Sequence, residues 1–115
     1  MRYQGSCHCG TVKFEAEGEI NGVIECNCSY CSRKGLLLAF VPRAQMTLLG
    51  GADKLTQYKF NQHRIDHQFC SVCGCQAFSY GADPAGNPMA AINVRCLGNV
   101  DLAALPRQAY DGRSA

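Results

Sequence analysis

Nine cysteines in 115 residues constrain this chain more than any other feature of its sequence. Eight of them fall in three clusters whose members are two or three residues apart: Cys7-His8-Cys9, Cys26-Asn27-Cys28-Ser29-Tyr30-Cys31 and Cys70-Ser71-Val72-Cys73-Gly74-Cys75. A disulfide framework is disfavoured because the number of cysteines is odd and the spacings are short. Such pairs are typical of metal ligands, since two thiolates so close in sequence can reach one ion without straining the chain.

The three clusters predict two zinc ions per chain. A structural zinc has four protein ligands, whereas a catalytic zinc has three and keeps one position for water or substrate. The most economical partition places a structural zinc on the outer two clusters, with ligands Cys7, Cys9, Cys70 and Cys73. The middle cluster then supplies three ligands to a second, thiol-activating zinc, namely Cys26, Cys28 and Cys31. An alternative is that both zinc ions are structural, with Cys75, Cys96 or a histidine completing the second set.

Several other thiol and polar side chains lie in or near these clusters. We expect Cys75 and Cys96 to be buried thiols of the core, which is the commonest fate of a free cysteine. We expect His8 either to support a neighbouring metal ligand or to lie at the surface, rather than to bind metal itself. Arg33 and Lys34 directly follow the middle cluster, where they could steer an anionic substrate or form an ordinary polar turn.

Short runs of alternating polarity predict an all-β fold with little helix. The predicted strands cover residues 11–17, 23–26, 37–41, 46–49, 56–60, 64–69, 76–80 and 89–95. Helix is predicted only as a turn after Ser29 and as a short piece over residues 101–105, capped by Asp101 and stopped by Pro106. The tail over residues 107–115 has little to bury, so we expect it to be loosely held.

Composition excludes several classes of function. The net charge is only +2 and the basic residues are scattered, so we expect no nucleic-acid partner. The longest apolar run, residues 36–41, is far shorter than the roughly 18 residues that a membrane span needs, so we expect no membrane partner. The N-terminal residues lack the apolar stretch of a signal peptide, and we therefore expect a cytoplasmic protein. The length predicts a single domain over residues 1–115, with its core at about 3–112.

Four ordered segments of the chain resemble one known family. They are Gly5-Ser6-Cys7-His8-Cys9-Gly10-Thr11-Val12-Lys13-Phe14, Cys26-Asn27-Cys28-Ser29-Tyr30-Cys31, Phe69-Cys70-Ser71-Val72-Cys73-Gly74-Cys75 and Asn93-Val94-Arg95-Cys96-Leu97, followed by Asp111-Gly112. Together they resemble the glutathione-dependent formaldehyde-activating enzyme family, also called the centromere protein V family. The resemblance spans roughly residues 3–112.

This resemblance implies a zinc-containing β-tent fold and the same division of ligands. The structural zinc would lie on Cys7, Cys9, Cys70 and Cys73, and the catalytic zinc on Cys26, Cys28 and Cys31. The implied activity is that of a carbon–sulfur lyase, which forms or breaks S-(hydroxymethyl)glutathione from glutathione and formaldehyde. The expected partners are therefore a low-molecular-weight thiol such as glutathione and an aldehyde.

One expectation about the site and one rival hypothesis accompany this reading. Arg33, Lys34 or His67 would hold the carboxylates of the thiol substrate. The rival hypothesis is a non-catalytic binding module of the same fold, in which zinc serves only to stabilise a small core.

Overall fold

The computed structural model of the protein describes residues 1–59 and 65–114. Within these ranges the backbone forms ten short β-strands: β1 (Arg2–Ser6), β2 (Lys13–Glu17), β3 (Val23–Cys26), β4 (Leu38–Pro42), β5 (Met46–Gly50), β6 (Leu55–Tyr58), β7 (Asp66–Cys70), β8 (Phe78–Ala82), β9 (Pro88–Asn93) and β10 (Arg107–Tyr110). One α-helix, α1, covers Ser29–Lys34. Five single-turn 3₁₀ helices lie at Arg43–Gln45, Ala52–Lys54, Val94–Cys96, Leu102–Ala104 and Gly112–Ser114.

The strands form two sheets. The smaller sheet has the order β1-β2-β5 and is antiparallel throughout. The larger sheet has the order β10-β3-β4-β9-β8-β7-β6 and is antiparallel except for β10, which runs parallel to β3. None of the helices in the described residues is long and apolar enough to span a bilayer.

The core lies between the two sheets. Phe14 of the smaller sheet and Phe78 of the larger one are both fully buried, and their rings meet edge to face with centroids 5.8 Å apart. The alternation in β2 places Phe14 and Ala16 in this core while Lys13 and Glu17 face solvent. The core cluster also contains Cys7 and Cys70, so the first group of cysteines borders the main packed interior.

The predicted all-β class is confirmed, and each of the eight predicted strands agrees with the structure to within two residues at its described ends. The prediction for residues 89–95 ran too far, because the chain turns into the 3₁₀ helix Val94–Cys96 after β9. Two ends of predicted strands lie outside the described residues: Phe60, the last residue of the strand predicted at 56–60, and Arg64, the first residue of the strand predicted at 64–69. The predicted cap is confirmed, since the Asp101 side chain accepts a hydrogen bond from the backbone N–H of Ala103 at 3.2 Å.

Two strands were missed, β1 and β10. The expectation of a loose tail was wrong for residues 107–110, which pair with β3 along its whole length. All four residues of β10 are exposed, so the tail indeed buries little. Its backbone hydrogen bonds hold it in place instead, and a polarity pattern does not reveal such pairing.

Candidate metal centres

The first cysteine cluster forms where two turns of the chain meet. Cys7 and Cys9 lie in the turn between β1 and β2, and Cys70 and Cys73 lie at the end of β7 and in the turn that follows. Their four sulfur atoms are all within 4.8 Å of one another. The Sγ atom of Cys9 is 3.6 Å from that of Cys7 and 3.7 Å from that of Cys70. Tetrahedral zinc with bonds of about 2.3 Å places its sulfurs about 3.8 Å apart, so these four residues fit the ion.

Backbone N–H groups in both turns point at the sulfur atoms. The N–H of Val12 donates to Cys7 Sγ at 3.3 Å, and that of Val72 donates to Cys70 Sγ at 3.4 Å. The second turn closes at Gly74, whose φ of 79° lies in the left-handed region that glycine adopts without strain and whose N–H donates to the Cys70 carbonyl at 2.8 Å. Donors aimed at sulfur stabilise its thiolate form, which is the form that binds metal.

The thiols of this cluster have dissimilar acidities. Burial raises the pKa of Cys7 to about 11, whereas hydrogen bonds from the backbone N–H groups of Cys9 and Cys75 lower the pKa of Cys73 to about 6. The Thr11 hydroxyl, 3.1 Å from Cys9 Sγ, lowers the pKa of Cys9. Four thiolates this close repel one another, so full ionisation of the set requires a cation among them.

The second cluster lies at the start of α1. Cys26 ends β3, Cys28 is the N-cap of the helix and Cys31 lies in its first turn, with all three sulfurs within 4.8 Å of one another. Cys28 Sγ accepts a hydrogen bond from the N–H of Cys31 at 3.3 Å, and Cys26 Sγ accepts one from the N–H of Cys28 at 3.4 Å. The same local geometry therefore starts the helix and gathers three potential ligands.

Burial raises the pKa of the Cys26 and Cys31 thiols above the ordinary value. It acts in the same direction on Cys28, but hydrogen bonds from the Cys31 N–H and from neighbouring thiols outweigh it, and the pKa of Cys28 is lowered. Cys31 is buried and the other two are half-buried. The cluster is thus accessible from one side.

Among the residues that the structure describes, the second cluster has three members and no fourth. Cys75 and Cys96, considered from sequence as additional ligands, lie together elsewhere, with their Sγ atoms 3.6 Å apart. Both pack against the core cluster but are only half-buried, so the expected burial in the core is partial. His8 is exposed in the turn of the first cluster, as expected.

His67 does not suit the expected role of holding a substrate carboxylate. Its side chain is 3% exposed, and its Nδ1 atom is 3.2 Å from Nε2 of the buried Gln76. Burial, together with the positive charge of Lys34, lowers the pKa of His67 to about 4, so the ring is neutral at neutral pH. Its ring packs against Tyr30 of α1 at a centroid distance of 4.0 Å.

Tyr30 ties α1 to the larger sheet. Its hydroxyl donates to Gln76 Oε1, its ring stacks on Tyr58 at 5.5 Å, and burial raises its pKa to about 12. The two basic residues at the end of the helix also make local contacts. Arg33 Nη1 donates to the Ser29 carbonyl at 2.8 Å, and Lys34 Nζ lies 5.5 Å from the centre of the Tyr30 ring.

The C-terminal segment closes against the second cluster. β10 pairs with β3 so that Tyr110 lies opposite Cys26. The Asn27 side chain binds the residues that follow β10. Its Nδ2 donates to Asp111 Oδ1 at 3.0 Å, and its Oδ1 accepts from the N–H of Arg113 at 2.9 Å. The Asn27 amide also lowers the pKa of Asp111.

Gly112 brings this segment close to the cysteines. A Cβ atom at this position would be 2.5 Å from Cys26 Sγ and 3.1 Å from Cys28 Cβ, so only glycine fits without displacement. Beside this contact lies an open cleft of about 470 Å³, whose lining includes Glu25, Cys26, Cys31, Tyr110 and Asp111. A small molecule can therefore reach the cysteine sulfurs from this cleft.

Sequence reasoning assigned no structural role to Asn27, Gly112 or Gln76. The motif around the middle cluster contains Asn27, but its partners are 84 and 86 residues away, and only the tertiary structure brings them together. The available signal for this segment in the sequence is the Asp111-Gly112 pair, which is part of the family resemblance.

The fold and the two cysteine groups define a small all-β protein with a four-cysteine and a three-cysteine centre, each able to hold a metal ion. The chain belongs to the glutathione-dependent formaldehyde-activating enzyme family, whose pattern it matches over residues 2–110. It is also similar to the crystal structure of a Rhodobacter sphaeroides protein, with a TM-score of 0.79 and 28% sequence identity. That similarity covers 94% of this chain and 100% of the other.

Proposed function

We propose that this protein is a zinc-dependent carbon–sulfur lyase that forms or breaks a thiol–aldehyde adduct such as S-(hydroxymethyl)glutathione. The single observation that carries the proposal is the three-cysteine cluster beside an open cleft, in a chain of this family. The proposal treats residues 1–115 as one zinc domain with two ions. Cys7, Cys9, Cys70 and Cys73 would hold the structural ion, and Cys26, Cys28 and Cys31 the catalytic one.

The donor sets support zinc as the metal. Thiolate sulfur is a soft ligand that suits zinc and does not suit magnesium or calcium. A zinc ion on three thiolates would favour the thiolate form of an incoming thiol, whose ordinary pKa is near 8.5, and would neutralise part of its charge. The chain's own contribution is to hold the three sulfurs together with N–H donors at Cys28 and Cys31.

The reaction itself is an addition without oxidation or reduction. The sulfur of the thiol forms a bond to the aldehyde carbon, the carbon–oxygen π bond breaks, and the thiol proton ends on the new hydroxyl oxygen. Fixing the thiol next to the aldehyde removes much of the entropic cost of bringing two small molecules together. The cleft at Cys26 and Cys31 gives the space for this encounter, and Tyr110 and Asp111 of the tethered C-terminal segment line it.

The two centres differ in a way that supports different roles. The four-cysteine group borders the main core and joins segments more than sixty residues apart, which suits a structural cross-link. The three-cysteine group is local, opens to a cleft and packs on a small separate cluster of Leu36, Leu38 and Ala91. A metal ion that closes a long loop contributes stability to the fold. A local group of ligands that opens to a cleft is better placed to bind a substrate.

NMR exchange spectroscopy tests the proposal directly. In a mixture of glutathione and formaldehyde, the zinc-loaded protein should accelerate exchange between formaldehyde hydrate and S-(hydroxymethyl)glutathione. Cys28→Ser should abolish the acceleration while leaving a folded protein, and Cys96→Ser, outside both groups, should retain it.

Equal exchange rates with wild-type protein and with Cys28→Ser would refute catalysis at the three-cysteine centre. If glutathione nevertheless bound to the wild-type protein, the result would favour the non-catalytic binding module instead.

A further inference from the structure

The two thiols outside the metal centres form a pair of their own. Cys75 directly follows the turn that carries Cys73, and Cys96 ends the 3₁₀ helix Val94–Cys96. Their Sγ atoms are 3.6 Å apart, which is van der Waals contact between two thiols. A disulfide requires about 2.05 Å, so the sulfurs would approach by about 1.6 Å, a distance that small side-chain rotations can supply.

The backbone around the pair is fixed by contacts that do not involve the thiols. The N–H of Asn93 donates to the Ala77 carbonyl at 2.9 Å, and Asn93 Nδ2 donates to the Gln76 carbonyl at 2.8 Å. These bonds hold the segment after Cys75 beside the segment before Cys96. The two thiols are therefore held next to each other before any bond forms between them.

One thiol of the pair is reachable from outside. Cys96 lines an open cleft of about 430 Å³ together with Ser6, Lys13 and Gly98. The Lys13 side chain is exposed and offers an ammonium group to an anionic molecule in this cleft. No residue that lines this second cleft also lines the cleft at Cys26.

We propose that Cys75 and Cys96 are a reversible dithiol–disulfide pair, oxidised by the disulfide of a small carboxylate-bearing thiol that enters this second cleft. The Cys96 sulfur attacks the small disulfide, forms a mixed disulfide and releases one thiol. The Cys75 sulfur then attacks Cys96, closing the protein disulfide and releasing the second thiol. One disulfide is consumed and one is formed, while two small thiols are produced and take up the two protons of the protein thiols.

The pair differs from the metal ligands in what its oxidation would change. A bond between Cys75 and Cys96 uses no member of either metal group. It would join the turn of the first centre to Cys96, whose neighbour Leu97 bridges to Gly5 of β1.

Burial raises the pKa of Cys96 to about 12, so the exchange is slow and is best followed to equilibrium. The inference does not depend on the proposed lyase activity.

The test equilibrates the zinc-loaded protein, without oxygen, in buffers of increasing glutathione disulfide over glutathione. Free thiols are then trapped by alkylation, the zinc content is measured, and tryptic peptides are mapped. Trypsin cuts after Arg95, so a bond between the pair appears as two linked peptides. We expect loss of two hydrogens and two alkylatable thiols, with both zinc ions retained.

Single variants separate the steps of the exchange. Cys75→Ser should stop at a mixed disulfide and gain one glutathionyl group on Cys96, while Cys96→Ser should gain much less because Cys75 does not line the cleft. Three outcomes would overturn the proposal: a wild-type protein that remains fully reduced, mixed disulfides that never close, or a disulfide that forms only with loss of zinc. The wild-type measurement stands even if a variant fails to fold.

Discussion

Gly112→Ala should specifically weaken metal binding at the three-cysteine centre. The added Cβ would lie 2.5 Å from Cys26 Sγ, about 1.0–1.5 Å inside the about 3.5–4.0 Å of an ordinary contact. The backbone of Gly112 is not in the left-handed region, so alanine adds no conformational strain of its own. The clash must be relieved by moving Cys26 or by pushing the C-terminal segment away from Asn27.

Overpacking of this kind costs about 1–3 kcal/mol. Because Cys26 is a ligand in the proposed centre, we expect the cost to appear as roughly a 5- to 150-fold loss of zinc affinity at that centre. Competition against a chromophoric chelator measures the two zinc ions separately if their affinities differ. The four-cysteine centre contains neither residue, so its affinity should not change.

Gly98→Ala is the matched control. In the part of the chain that the structure describes, a Cβ at this position meets no atom within 4 Å, and the glycine has no left-handed φ. The control should bind both zinc ions like the wild type. Wild-type affinity for both ions in Gly112→Ala would refute the close approach of the tail to Cys26.

Three further predictions test other parts of the structure. Cys70→Ser should unfold the protein, because structural zinc binding on the order of 10 kcal/mol is coupled to folding. Cys28→Ser should instead stay folded with about one zinc. Circular dichroism measures the fold and metal analysis the zinc content, and equal loss of fold in the two variants would contradict this division of roles. Tyr30→Phe removes the donor to buried Gln76 and should lower the free energy of unfolding by about 1–3 kcal/mol in chemical denaturation, an unchanged value being the contrary result. Burial lowers the pKa of His67 from 6.5 to about 4, so the folded state favours the neutral ring. The stability that this preference gives the folded protein is complete above pH 6.5 and is lost as the pH falls towards 4. Over that range the wild type should lose about 3 kcal/mol more stability than His67→Phe, and parallel pH profiles would contradict the assignment.

The cysteine spacing predicts the candidate centres well because chelation is a local property. Residues two or three apart can bring their sulfurs together within one turn, and Cys26, Cys28 and Cys31 meet as expected. Short spacing is not sufficient, because Cys75 is two residues from Cys73 but lies against Cys96 instead. Joining Cys7 to Cys70 is a long-range prediction, and it rested on the need for four ligands. The structure brings these two residues into one group.

The elements that sequence reasoning missed depend on partners far away in the chain. β10 has four exposed residues and no alternating pattern, and it exists because the edge of β3 has free backbone groups to pair with it. Likewise, nothing near His67 in the sequence indicates that Gln76 and Tyr30 enclose it. Burial makes this histidine a neutral structural group instead of a ligand for substrate.

We propose above that the centre formed by Cys26, Cys28 and Cys31 holds a zinc ion with one position for a thiol substrate. A crystal structure of the zinc-loaded protein soaked with glutathione, with data collected at the zinc absorption edge, tests it most directly. We predict two zinc peaks, one on four cysteines and one on these three with the glutathione sulfur as its fourth ligand. A fourth protein ligand on the second zinc, or a second zinc with no glutathione sulfur bound, would contradict the claim.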